Sequence, residues 1–289
     1  MFYNRKSLRA TSCSLYFRAL SLNDLVVLYI FVLNQWLVEQ RGIDPTVKAT
    51  WYCKFKSFIN TGLYTVSPYL VVLACFDRLC TSSTNVRLRR LASVRFASFL
   101  IPFTVVFVFV CYFHVLIWYE VILTPFFSIC GVINATYSRV FPIFLIVFLG
   151  FLPPALMLIF CIITLILLRQ QRRRIMPVNQ NRVRQRDNQL IKMLFIYVMS
   201  HSICTLPFSI SFLILIFHPG YYPTFIGLLF RCSILIFNLN FATSFYIYTM
   251  GTPFYRRELY SLMVTARNEF HKMIHKHRHR LPISPTNRS

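Results

Sequence analysis

The chain's 289 residues are 56% hydrophobic and only 13% charged, with 30 Phe and 7 Gly, against roughly 25% charge in an ordinary soluble domain. One soluble core cannot hide that much apolar side chain, so lipid is the solvent this composition calls for. A net charge of +23 would suit nucleic acid, but the basic residues stand between apolar runs rather than along one face, which excludes that partner and fits membrane topology.

In chain order, residues 1–18 are basic and polar. The first apolar run, about 17–39, contains Asp24 and is too long and too polar for a cleaved signal peptide. Five more runs follow, at about 57–80, 96–118, 139–168, 190–217 and 223–250. Each is long enough to cross a bilayer at about 20 residues per helical span. None alternates as a barrel strand would, so helices are expected. With the N-terminus in the cytosol, the inner segments hold 25 Lys/Arg and the outer ones 5, a strong positive-inside bias that puts both termini inside. The sequon Asn134-Ala-Thr then falls in the outer loop 119–138 and is a glycan acceptor. Segment 253–264 is amphipathic and predicts a helix lying along the inner leaflet. Beyond it runs a basic, His-rich tail, which reads as a disordered segment near anionic lipid, with a metal site as the alternative. The expected architecture is an all-α polytopic bundle over 1–255, with 256–289 as amphipathic helix and tail. Nine cysteines without paired CxxC units exclude a zinc module.

Polar residues within or beside the spans are few, and each needs a reason. Cys53 opens the second span and Asp77-Arg78-Leu79 closes it, with Ser67 between them. Cys130 lies in the outer loop between the next two spans. Asp24 sits in Ser-Leu-Asn-Asp-Leu. The fifth span carries Cys204-Thr-Leu-Pro207, whose proline removes a backbone bond and marks a hinge. Asp187 stands just ahead of the same span, on its inner side. The last span ends Asn240-Phe-Ala-Thr-Ser244-Phe245-Tyr246-Ile-Tyr248.

Taken in this order over about residues 12–257, these motifs and their spacings resemble rhodopsin-like, class A G-protein-coupled receptors. The resemblance departs in places. Leu79 stands for the usual tyrosine, Thr205 for the hinge tryptophan, Ser244-Phe245 for Asn-Pro, and the fourth-helix tryptophan is missing. Asp24 belongs midway along the family's second helix, so the family's first helix is expected to be absent, leaving six of seven spans. A narrower pattern resembles invertebrate peptide receptors of the FMRFamide type.

The resemblance implies a disulfide between Cys53 and Cys130. It also implies an allosteric sodium ion held by Asp24, Ser67 and Asn240, unless Asp24 is a protonated, hydrogen-bonded acid. No other cofactor is implied. Asp77, Arg78, Pro207 and Tyr248 take the family's activation and G-protein-coupling positions. Asp187 either bridges to Arg78 or is a solvated charge. Asn60, Tyr64 and Arg231 fall at ligand-pocket positions, Arg231 either meeting an acidic group or snorkelling to headgroups. Asn60 stands where amine receptors carry an acid, so an amine ligand is disfavoured. The implied function is a plasma-membrane receptor passing the binding of an extracellular ligand, a peptide in this family pattern, to a heterotrimeric G protein, with lipid around it. The alternative is a six-span channel or transporter. Membrane-enzyme chemistry has no support, because His114 and His201 are isolated and read as hydrogen-bonded packing residues.

Overall fold

The computed structural model describes residues 12–33, 45–123, 128–172, 180–217 and 224–251, with Trp36, Val38, Gln40, Tyr260 and Val264 placed singly. The amphipathic segment at 253–264 and the basic tail therefore lie almost wholly outside the described residues, and so do the side chains of Asp187 and Tyr248.

Helix α1 spans Ser12–Val26 and continues through a wider, π-type turn at Val27–Val32. Helix α2 spans Thr50–Ser82, α3 Val86–Leu91, α4 Val94–Cys111 and α5 Val115–Trp118. An antiparallel hairpin follows, β1 Tyr119–Leu123 with β2 Ser128–Val132, in the register Val121 opposite Cys130. Helix α6 covers Ala135–Leu145, a second π-type stretch Ile146–Phe151, and α7 Leu152–Arg172. Helices α8, Gln180–Phe217, and α9, Thr224–Gly251, complete the bundle. Among the described residues, six helical segments are long and apolar enough to cross a membrane: Ser12–Ile30, Thr50–Ser82, Val94–Trp118, Ala135–Gln170, Lys192–Ile214 and Gly227–Ser244. The chain is a multi-pass membrane protein with an all-α bundle.

Local chemistry explains several boundaries. Asn85, Ser93 and Asn134 cap α3, α4 and α6, each side chain accepting from a backbone N–H of the first turn. The wide turn at 146–151 runs directly into Pro153-Pro154. Neither proline has an N–H to return to the carbonyl four residues earlier, and Leu152 bonds five back, to Val147. The β-hairpin is a feature the hydropathy reading left as outer loop.

Helix α2 runs through the middle of the bundle. At 33 residues it is about 50 Å long, longer than the roughly 30 Å hydrocarbon layer, so its ends reach past the lipid. Leu70, Val71, Ala74 and Cys75 of α2 meet Tyr16, Phe17 and Leu20 of α1, Met157 and Cys161 of α7, and Leu194, Tyr197 and Val198 of α8 in one buried cluster. Gly62 lets α4 approach closely, since a Cβ there would stand 2.5 Å from Phe109. Opposite this core, Phe99, Phe103 and Phe107 stack in a row on the exposed face of α4. In water such a row would be a liability; in a bilayer it is ordinary lipid-facing surface.

Candidate functional site

Two layers of polar side chains interrupt the apolar bundle. The outer layer begins at the hairpin. Cys53, in the first turn of α2, is joined to Cys130 of β2, with 5.7 Å between their Cα atoms. Lys54, next to it, pairs with Glu120 of β1 at 3.6 Å and donates to the Ile117 carbonyl. The hairpin is thus held to the outer end of α2 by one covalent link and one ion pair, and α5 by the bond to Ile117. Burial pushes the hydroxyl of Tyr119, at the start of β1, up to about 12.

Further into α2, Asn60, Thr61 and Tyr64 line a cavity of about 210 Å³, closed by Leu145, Leu149, Phe208, Ile234, Phe237 and Asn238. Three of its nine lining residues, Tyr64, Phe208 and Phe237, are aromatic. Phe208, next to the proline of α8, lies 5.1 Å from Phe237, and Tyr64 lies 5.1 Å from Phe241. The Tyr64 hydroxyl donates to Asn238 Oδ1 at 3.1 Å, tying α2 to α9. Asn60 Oδ1 is buried without a hydrogen-bond partner among the described residues, an acceptor that a ligand N–H or a water would satisfy.

Arg231 is not in this cavity. It lines a larger one of about 570 Å³ between the π-type turn of α1 and the outer half of α9, with Tyr29, Val32, Leu33 and Trp36. The two cavities meet at Ile234 and Asn238, which line both. Asn60 and Tyr64 share one space, and Arg231 adjoins it from the side.

The inner layer is a buried chamber. The Asp24 carboxylate accepts from Ser67 of α2 at 2.5 Å and from Ser244 of α9. Asn23 steadies the arrangement, donating to Ser67 Oγ at 2.7 Å and to the Leu63 carbonyl at 2.9 Å. Asn240, one turn before Ser244, is also buried. Its Nδ2 lies 2.7 Å from His201 Nδ1 of α8. An amide NH₂ only donates, so Nδ1 accepts and the imidazole proton sits on Nε2. His201 Nε2 and Asn240 Oδ1 have no partner in hydrogen-bonding geometry among the described residues, although the Tyr197 hydroxyl lies close enough to interact with the Asn240 carboxamide. The donor set of Asp24, Ser67, Ser244 and the Asn240 oxygen is all oxygen with one negative charge. That is what a hard monovalent cation takes, and the residues fit the sodium ion implied by the resemblance. No group of three or more His, Cys, Asp or Glu able to hold a metal occurs among the described residues.

At the inner end of α2, Asp77 and Arg78 are both buried and pair with each other at 3.1 Å. Pro207 lies within α8, on the outer side of His201 and far along the helix from Asp187. His114, isolated in sequence, bonds Tyr137 at 2.5 Å. Asn134 Oδ1 accepts from the Thr136 and Tyr137 N–H groups, leaving the exposed Nδ2 of the sequon outside the cap.

Sequence reasoning missed Asn238, Asn23 and the His201–Asn240 bond. All three involve polar residues set within apolar spans. Such residues at membrane depth are themselves a signal, but their spacing does not say which helix supplies the partner.

The family described as 7 transmembrane receptor (rhodopsin family) matches residues 1–249. No curated protein matches the chain.

Proposed function

Because this chain belongs to the rhodopsin family of seven-transmembrane receptors, a non-enzymatic receptor fold, we propose that it carries the binding of an extracellular peptide to a heterotrimeric G protein at the plasma membrane. The observation that carries the reading is the Tyr64–Asn238 bond, because it joins the wall of the ligand cavity to the helix that closes the polar chamber. A ligand that draws Tyr64 or Asn60 toward itself loosens this tie. Helix α9 is then free to shift at Phe241 and Ser244, and with them the contact to Asp24. Coupling of this kind needs two packings and a ligand that prefers one of them.

The residues divide the work. Asn60 and Tyr64 orient the ligand, and Arg231 meets an acidic group of it where the side groove joins the cavity. Asp24, Ser67, Ser244 and Asn240 would hold a sodium ion, which would supply the positive charge that balances the buried carboxylate. Pro207 supplies the hinge about which the inner half of α8 swings. Arg78, released from Asp77 and from a bridge to Asp187, meets the G protein together with Tyr248 at the cytosolic face. Asn134 carries a glycan. The unpaired Asn60 oxygen supports a ligand with N–H groups, as peptides have.

The test is nucleotide exchange on purified G proteins of each class, catalysed by the chain in lipid nanodiscs with a library of amidated peptides. Peptide-dependent exchange that is lost in Arg78→Ala and weakened in Tyr64→Phe supports the reading. A peptide that binds without raising exchange on any class defeats it, and ion flux through the same protein in liposomes would favour a channel instead.

A further inference from the structure

Five serines and threonines of the chain stand three residues after an arginine: Ser12, Ser21, Thr81, Ser93 and Ser98. Ser12 and Ser21 lie in α1, Thr81 in α2 and Ser98 in α4. Ser93 alone sits between helices, with extended backbone at φ −113° and ψ 150°. It alone also has a second arginine four residues before it, so that Arg89 and Arg90 precede it as a pair. Helix α3, which carries both, is six residues long and buries no side chain. Arg87, Arg89, Arg90 and Arg95 are all exposed and Ser93 is half-buried. A single short turn of helix on the surface opens at little cost, so residues 89–94 can be drawn out as extended chain. Residues 86–95 hold four arginines and no acid, which puts them among the inner segments by the positive-inside bias.

We propose that Ser93 is a phosphorylation site for a protein kinase with an acidic substrate cleft, which reads the exposed Arg89-Arg90 pair, and that the phosphate takes over the cap of α4. Carboxylates of such a cleft pair with arginines upstream of the hydroxyl and so choose this serine. The Ser93 oxygen attacks the γ-phosphorus of ATP, the bond from that phosphorus to the β,γ-bridging oxygen breaks, and ADP leaves. The hydroxyl proton goes to the kinase's catalytic carboxylate. The same Ser93 oxygen caps α4, accepting from the Phe96 N–H at 3.2 Å. A phosphate there sets negative charge at the positive end of an 18-residue helix, with its own oxygens as acceptors for the first-turn N–H groups. It also lowers the charge of residues 86–95 from +4 to about +2, which weakens their hold on anionic lipid. The inference needs the cytosolic placement of this segment and not the peptide or G-protein reading above.

The experiment incubates the purified full chain, in lipid nanodiscs and without heating, with a purified kinase of this class, magnesium and ATP, and locates the phosphate by mass spectrometry. Wild type, Ser93→Asn, Arg90→Gln and Ser98→Ala are compared. Asparagine caps a helix as well as serine but has no hydroxyl, so a loss of labelling in Ser93→Asn is not a loss of fold. Wild type is expected to take one phosphate in the segment 86–98, at Ser93, and Ser93→Asn none there. Arg90→Gln is expected to slow labelling by at least about tenfold, the effect of losing one charge-assisted contact. Ser98→Ala should label as wild type does. Labelling of this segment at Ser98 instead, labelling of Ser93 only after denaturation, or a rate unchanged by Arg90→Gln overturns the assignment. Hydrogen exchange reads the cap separately. The Phe96 amide should stay protected in the phosphorylated chain, and faster exchange there would overturn the transfer of the cap to the phosphate.

Discussion

Removing the Cys53–Cys130 link should destabilise the protein by an amount that its place in the chain sets. The two cysteines are 77 residues apart. In the chain-entropy account, opening a loop of that length frees about 15 cal/mol/K, or about 4.5 kcal/mol at 25 °C. Two features of the structure reduce this. Helices α2 and α4 both lie within the loop and span the membrane, so they stay inserted after tertiary contacts are lost and the freed chain explores less space. The hairpin also keeps the Lys54–Glu120 pair, though an exposed pair of this kind adds at most about 1 kcal/mol. The expected cost of Cys53→Ala/Cys130→Ala is therefore about 2–4 kcal/mol, or roughly 4–16 °C in midpoint. Thermal unfolding of the purified double variant measures it, with reductant added to wild type as a second route to the same state. A change by both routes no larger than that of an ordinary surface substitution, about 0.5 kcal/mol, would refute the argument. It would mean that the lipid-held helices alone fix the hairpin.

Other outcomes follow from single contacts. Asp24→Ala leaves the buried Ser67 and Ser244 hydroxyls without their carboxylate and should cost about 1–3 kcal/mol, whereas Asp24→Asn, which keeps an acceptor, should cost less; thermal unfolding without sodium separates the two. Gly62→Leu drives a side chain into Phe109 and should lower stability by about 1–3 kcal/mol, with surface yield as the first readout. Asp77→Ala strips a charged partner from a buried arginine and should cost about 3–5 kcal/mol, unless Arg78 swings to another acid, in which case basal nucleotide exchange changes while stability does not.

The membrane-spanning helices were legible because hydropathy is read over many residues at once and the charges sort to one side. The site was legible wherever a residue sits at a fixed distance along one helix from a recognisable neighbour. Cys53, Ser67 and Arg78 share α2, and their spacings carry over into three dimensions unchanged. Asn240 lies on α9, but its bond to His201 was not foreseeable. What a carboxamide bonds depends on what a different helix presents, and of the adjacent polar residues Ser200, His201 and Ser202 the sequence does not say which one meets α9. Arg231 shows the same limit. Its depth is readable from the chain, whereas its facing the α1 side rather than Tyr64 is set by how α9 rotates against α1. The hairpin was hidden because such short strands in an outer loop produce no signal above that of an apolar connector. The π-type turn before Pro153-Pro154 is the one irregularity the residues announce, through two missing N–H groups.

Asn134 uses the two ends of one amide for two purposes. Its oxygen stops the backbone of α6 from fraying, and its nitrogen is the atom a sugar would occupy. Anyone preparing homogeneous, sugar-free protein therefore has an unequal choice of substitutions. Aspartate keeps the oxygen that starts the helix, and Thr136→Ala spoils the sequon while leaving the cap untouched. Glutamine, the customary replacement, puts the oxygen one methylene too far out and unties the mouth of the bundle along with the glycan.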